Sequence, residues 1–234
     1  MPQVDLLCLA NSYKHDPGRC IAGLRLDGTG WLRPVSDVGE GQLLPEHTRL
    51  PDGSQPQLLD VIRIGLAQHR PLPHQPENYL IDGSRWELLH RPAPDTAVRL
   101  LAEQLHGATD LFGDRSSAIA ETRFQQTPAK ESLVLVRPAK VAWRTDFNDF
   151  TQKRRARVLF RLGPSCDYDL PLTDPAFVSR VKALPIGDHG DADVGIPESA
   201  MCLFTISLGE PLKGWCYKLV AAVVILPPAW AGHL

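Results

Sequence analysis

The chain has 234 residues, 43% hydrophobic and 22% charged, which suits one large or two small folded domains and excludes a disordered or fibrous chain. A formal net charge of −2 excludes a uniformly basic nucleic-acid binder, so any contact with phosphates must come from a local patch. With 18 glycines and 21 prolines, the composition favours short strands and turns over long helices.

Val4 to Ala10 reads as a first strand, and Arg19 to Ser36 as a β-hairpin. A three-residue Gly28-Thr29-Gly30 loop, with Gly30 at positive φ, would pair Asp27 with Trp31 and Leu26 with Leu32. Leu24, Leu26 and Leu32 then face the core, while Arg25, Trp31 and Arg33 share the opposite side and offer an indole between guanidinium groups, a platform for a base or a phosphate chain. A register slip of one residue would bury Trp31 instead. Gly39 to Gln57 shows no helical period, so a helix there is reduced to a loop or a short turn. Leu58 to Leu66 and Tyr79 to Leu89 supply a last pair of strands.

Asp95 can cap a helix carrying Val98, Leu101, Ala102 and Leu105 that ends near Gly107, and its apolar stripe needs a surface to cover. Leu133 to Trp143 reads as a strand broken near Pro138. Arg155 to Leu162 alternates strictly, with Ala156, Val158, Phe160 and Leu162 on one side and Arg155, Arg157 and Arg161 on the other. Tyr168 to Leu172 forms a third strand, placed at an edge by Pro171. Thr173-Asp174-Pro175 starts a helix carrying Phe177, Val181 and Leu184. Two further strands, Cys202 to Leu208 and Tyr217 to Leu226, complete the order of three strands, one helix and two strands. That is the order of a five-stranded OB barrel, and the first half follows it with its helix worn down. The fold class expected is mainly β: two tandem OB-like five-stranded barrels, at 1–92 and 130–234, with a helical connector at 93–129.

A known family fits this pattern. Arg19-Cys20-Ile21-Ala22-Gly23, Gly30-Trp31-Leu32-Arg33-Pro34-Val35-Ser36, Leu59-Asp60-Val61, His74-Gln75-Pro76-Glu77-Asn78, Thr173-Asp174-Pro175 and Tyr217-Lys218-Leu219-Val220-Ala221-Ala222 together resemble the bacterial dual-OB domain proteins, from about Val4 to Leu226. The resemblance implies two OB barrels and a role in binding nucleic acid within defence or stress systems. It implies no catalytic chemistry and no role for any single residue.

The candidate nucleic-acid contacts are Arg25, Trp31, Arg33, Arg155, Arg157, Arg161, Tyr217 and Lys218. The run Lys153-Arg154-Arg155-Ala156-Arg157 with Arg161 is the densest positive cluster, and alternate arginines on a strand can follow a phosphate backbone. Its plainer reading is a solvated outer face; for Trp215 and Tyr217, at the start of the last strand, it is packing rather than stacking. His74-Gln75-Pro76-Glu77-Asn78 reads mainly as a structural turn in which Glu77 or Asn78 bonds to backbone amides, against a hydrolase or nuclease centred on His74 and Glu77 or a Cys20, His74, Asn78 nucleophile. Gly187 to Asp193 reads as an acidic solvent loop. No catalytic residue, metal site or cofactor is assigned, and no nucleotide-binding glycine loop is present.

Cys8, Cys20, Cys166, Cys202 and Cys216 are irregularly spaced, which suits free thiols in a reducing cytoplasm. The apolar run Leu219 to Leu226 is too short to span a bilayer, so a soluble, unprocessed, cytoplasmic protein is expected. The partner expected first is single-stranded or structured nucleic acid, the alternative being a partner protein, with no membrane involved.

Overall fold

The computed structural model describes residues 2–14, 17–107, 109–149 and 151–226. In the first half these include β1 (Gln3–Tyr13), β2 (Arg19–Arg25), β3 (Trp31–Val35), β4 (Val61–His69), β5 (Asn78–Ile81) and β6 (Glu87–His90). The pairing order is β1-β2-β3-β5-β4, and β1 pairs again with β4, so five strands close into a barrel. The length of β1 makes closure possible, since Leu6 lies opposite both Arg25 and Ile62. Closure leaves the barrel without a free edge. Leu6, Cys8, Ile21, Leu32, Ile62, Ile64 and Trp86 fill its interior. The weak helical signal between Gly39 and Gln57 corresponds to a single turn, α1 (Pro45–Thr48).

The hairpin departs from its expected register. Leu24 pairs with Trp31 and Gly23 with Leu32, so the connection is longer than Gly28-Thr29-Gly30, although Gly30 does adopt φ 98°. Leu26 leaves the ladder, donates its amide to Asp5 O and is exposed. Trp31 and Arg33 still share a face, but that face meets the second half of the chain rather than solvent. Arg33 is only 3% exposed, and Trp31 packs against the buried cluster to which Leu7, Leu9 and Leu24 of the first half and Leu203 and Val224 of the second belong.

The second half comprises α2 (Pro94–Glu103), β7 (Ala118–Ala120), α3 (Glu121–Gln126), β8 (Leu133–Val136), β9 (Ala139–Phe147), β10 (Arg154–Leu162), β11 (Cys166–Pro171), α4 (Pro175–Ala183), β12 (Gly187–His189), β13 (Met201–Leu212) and β14 (Trp215–Leu226). Its strands form two four-stranded sheets, β11-β10-β9-β12 and β7-β14-β13-β8, linked by a parallel bridge between Leu172 and Val220. The break at Arg137-Pro138 explains the split, because proline cannot donate to the ladder and β8 and β9 enter different sheets. The result is a half-barrel, and the chain as a whole is mainly β with OB-like barrels. Ala156, Val158, Phe160 and Leu162 point inward from β10, as their alternation indicates, against Trp143, Phe177 and Phe204. At the start of α4, Asp174 accepts from the amides of Ala176 and Phe177.

Two local expectations are corrected. α2 begins at Pro94 with Ala93 in the N-cap position, so Asp95 lies in its first turn rather than capping it. The segment from Gly187 to Asp193 is built into the fold: β12 pairs with β9, Asp188 bridges to Arg144, and Asp191 accepts from Trp143 Nε1 at 2.7 Å. These carboxylates orient a buried tryptophan and an arginine.

The halves are packed into one another. Leu7, Leu9, Leu24 and Val61 meet Leu101, Leu135, Leu203, Val224 and Leu226 in one buried cluster, so Leu101 of α2 lies among residues of both halves. Polar bonds cross the same seam, with Tyr13 N donating to Thr173 O at 2.9 Å and Thr205 Oγ1 to Leu9 O at 2.6 Å. No helix among the described residues is long and apolar enough to cross a membrane.

Candidate nucleic-acid interface

A groove of about 760 Å³ lies beside a basic cluster on the second half. Arg154, Arg155 and Arg157 of β10, Lys182 of α4, and Lys213 and Tyr217 of the β13–β14 hairpin line it. Strand alternation explains the arginines, since Ala156 and Val158 point into the core and force Arg155 and Arg157 outward. The hairpin supplies the aromatic. Its tip turns through Lys213 and Gly214, both at positive φ, and the pattern along β14 leaves Trp215 and Tyr217 outside and Cys216 buried between them. Trp215 is 47% and Tyr217 37% exposed, so neither aromatic is consumed by packing.

Most of these cations have partners. Arg155 bridges Asp146 through two bonds of 2.8 and 2.9 Å, and Arg157 pairs with Asp169 at 2.6 Å. Arg154 is held by the main-chain carbonyls of Lys182 and Leu184, which aim its charge without neutralising it. The Asp146 and Asp188 carboxylates raise the pKa of Arg155 and Arg144 respectively, chiefly by hydrogen bonding, so these guanidinium groups remain cations. Ion pairs this exposed contribute only about 0–1 kcal/mol, so a phosphate oxygen can replace the carboxylate with little loss.

Arg155, Arg157 and Tyr217 are therefore brought together, and the other candidates are not. Arg161 stands outward on β10 but outside the groove, paired with Asp167 at 2.6 Å. Arg25 is engaged by Asp27 at 2.7 Å on the first half. Trp31 and Arg33 lie in the seam. Lys218 is fully buried, donating to Asp114 O at 2.6 Å and Ser116 O at 2.7 Å, and burial lowers its pKa. A period of two places Lys218 on the inward side of β14 with Cys216 and Val220, but the acceptors that make its charge tolerable there lie on a loop a hundred residues upstream. Arg154, from the basic run, completes the groove together with Lys182 and Lys213, which the sequence pattern does not mark.

The motif His74-Gln75-Pro76-Glu77-Asn78 fastens the halves together. His74 Nε2 lies 2.8 Å from Glu210 Oε2, Gln75 Nε2 donates to Leu208 O at 2.9 Å, and Glu77 accepts from both the amide and the hydroxyl of Ser132 at 2.6 Å. Asn78 Oδ1 accepts from Arg33 Nη1 at 3.1 Å, and Arg33 Nη2 donates to Ser207 Oγ at 3.0 Å. Glu77 does bond to a backbone amide, as the turn reading requires, but across the seam rather than within its loop. His74 and Glu77 face different partners, so they form no acid–base pair. Burial opposes ionisation of Glu210, but the His74 bond and the Lys14 charge outweigh it and lower its pKa. Burial pushes the Cys20 thiol up, so it is no ready nucleophile.

All five cysteines are unpaired, and no group of three or more potential metal ligands occurs among the described residues. Residues 4–223 match the family model described as a dual OB-containing domain. No curated protein is significantly similar to the chain.

Proposed function

Since the chain belongs to the dual OB-containing domain family, we propose that it binds a single strand of nucleic acid in the groove between β10 and the β13–β14 hairpin. The observation that carries this reading is the convergence of Arg154, Arg155, Arg157 and Lys182 with exposed Tyr217 in one groove. Cations spaced along a strand follow phosphates, and an aromatic beside them stacks a base whatever its identity. On a near-neutral chain, cations and an aromatic gathered in one groove suit a strand-selective site better than a surface that coats duplex. The domain plan proposed with it is two OB-like barrels at 1–92 and 130–234 with a helical connector at 93–129; residues 227–234 lie outside the described residues. The binding is non-catalytic. Action within a bacterial defence or stress system rests on the family resemblance, and a cytoplasmic location on the irregular spacing of the five cysteines.

Fluorescence anisotropy with labelled single-stranded and duplex DNA and RNA across a salt series tests the proposal. Affinity should fall steeply with salt, and replacing Arg155 and Arg157 by alanine should flatten the slope of log affinity against log salt by up to roughly 0.7 for each phosphate no longer neutralised. Tyr217→Ala should cost about 1–3 kcal/mol with little change in slope. The exposed apolar tip, Leu212 with Trp215 and Tyr217, supports one rival, a protein partner docked on the hairpin. No detectable binding of any oligonucleotide at low salt would favour that rival.

A further inference from the structure

Gly209, Glu210, Leu212 and Leu219 line both the groove and a second cavity, of about 310 Å³ in the seam, whose other walls include Tyr13, Arg33 and Ser207. That volume is at the lower end of the range for ligand pockets, roughly 300–1,000 Å³, and suits a single nucleoside-sized group.

The polar groups of this cavity are arranged by charge. Arg33 is more than nine-tenths buried, yet among the described residues its side chain is hydrogen-bonded to the neutral Asn78 and Ser207. The Glu77 and Glu210 carboxylates act on its charge without hydrogen-bonding to it, and a guanidinium has five N–H groups, so donors remain for a further acceptor. Glu210 stands on the neighbouring wall. Lys14 reaches its Oε1 at 3.1 Å and His74 its Oε2 at 2.8 Å, which leaves each carboxylate oxygen an acceptor position. Leu212, Leu219 and Ala221 supply apolar surface between. The cavity thus asks for a planar group with acceptors on one edge and paired N–H donors on another.

Guanine has that pattern: O6 and N7 accept, N1–H and the N2 amine donate. Adenine and cytosine each carry one exocyclic amine beside ring acceptors, and uracil sets a carbonyl on each side of its single N–H. Any of these would place an acceptor against the Glu210 carboxylate or leave Arg33 underused. Resting on the groove reading, we infer that the seam cavity takes a guanine base turned out of the bound strand, with Arg33 donating to O6 and N7 and Glu210 accepting from N1–H and the N2 amine.

The test uses the intact wild-type protein and varies the ligand. A labelled short oligouridylate is compared with versions carrying one central guanosine, inosine, 7-deazaguanosine, adenosine or cytidine. Guanosine should tighten binding roughly five- to hundred-fold over uridine. Inosine, which lacks the N2 amine, and 7-deazaguanosine, which lacks N7, should each lose much of that gain. Glu210→Gln should lower the ratio of guanosine to uridine affinity, a readout that general loss of binding does not mimic. Equal affinity for all bases, preference for another base, or full retention by inosine would overturn the assignment while leaving the groove reading in place. Failure of every oligonucleotide to bind would refute the groove reading, and the pocket with it.

Discussion

Replacing Glu77 by alanine should weaken both halves of the molecule together. The Glu77 carboxylate accepts two 2.6 Å bonds from Ser132, which is fully buried. Hydrogen bonds to a charged group contribute about 1.5–3 kcal/mol each, and losing this acceptor leaves a buried amide and hydroxyl without a partner. The two bonds share one residue and the hydroxyl can reorient, so the loss is placed at about 3 kcal/mol rather than the sum. With a urea dependence of roughly 3 kcal/mol per molar, the unfolding midpoint should fall by about 1 M. The seam cluster joins leucines of both halves, so unfolding should remain one transition. Amide exchange measured separately in β1–β5 and β9–β11 should lose protection in both. A double-mutant cycle with Ser132→Ala isolates the pair, and its coupling should exceed about 1.5 kcal/mol. A midpoint shift under a quarter of that expected, or loss of protection confined to the first barrel, would refute the view that this motif clasps the halves into one cooperative unit.

Three other outcomes follow from the same architecture. Gly23→Ala should destabilise by more than about 3 kcal/mol in thermal melts, since its Cβ would stand 2.0 Å from Leu7 O, a main-chain atom fixed in the barrel wall. Lys218→Met should cost about 1–3 kcal/mol, because the Asp114 and Ser116 carbonyls lose their donor, yet should leave the salt slope of oligonucleotide binding unchanged. A flattened slope would instead restore Lys218 as a phosphate contact. The Glu210 carboxyl is lowered from 4.5 in the folded state, so its stabilisation is present above that value and is lost as the pH falls through the lower folded value. The difference in melting temperature between wild type and Glu210→Gln should therefore shrink in acid below pH 4.5; a gap that widens there would contradict the ion-pair account.

The alternation of Ala156, Val158, Phe160 and Leu162, the break at Pro138 and a helix start at Thr173-Asp174-Pro175 were all legible in the sequence. Each is local: a strand's period of two, a missing amide hydrogen and a side chain beside free helix amides act within a few residues. The order of elements, and with it the OB-like character of both halves, follows from the same short-range rules. Local rules could place Arg155, Arg157 and Tyr217 on outer faces, but not bring β10 and β14 to the two sides of one groove. They also left open what covers an outer face. Trp31 and Arg33 share a face as the period requires, but a barrel wall has two sides, and only the docking of Leu203, Ser207 and Val224 from the far end of the chain turned that face inward. Lys218 shows the same limit, because its charge is tolerable inside only where Asp114 and Ser116 close around it. Burial of a polar group depends on partners distant in sequence, so the tertiary structure decided whether a cation on an outer face meets solvent, as Arg155 does, or the other half of the chain, as Arg33 does.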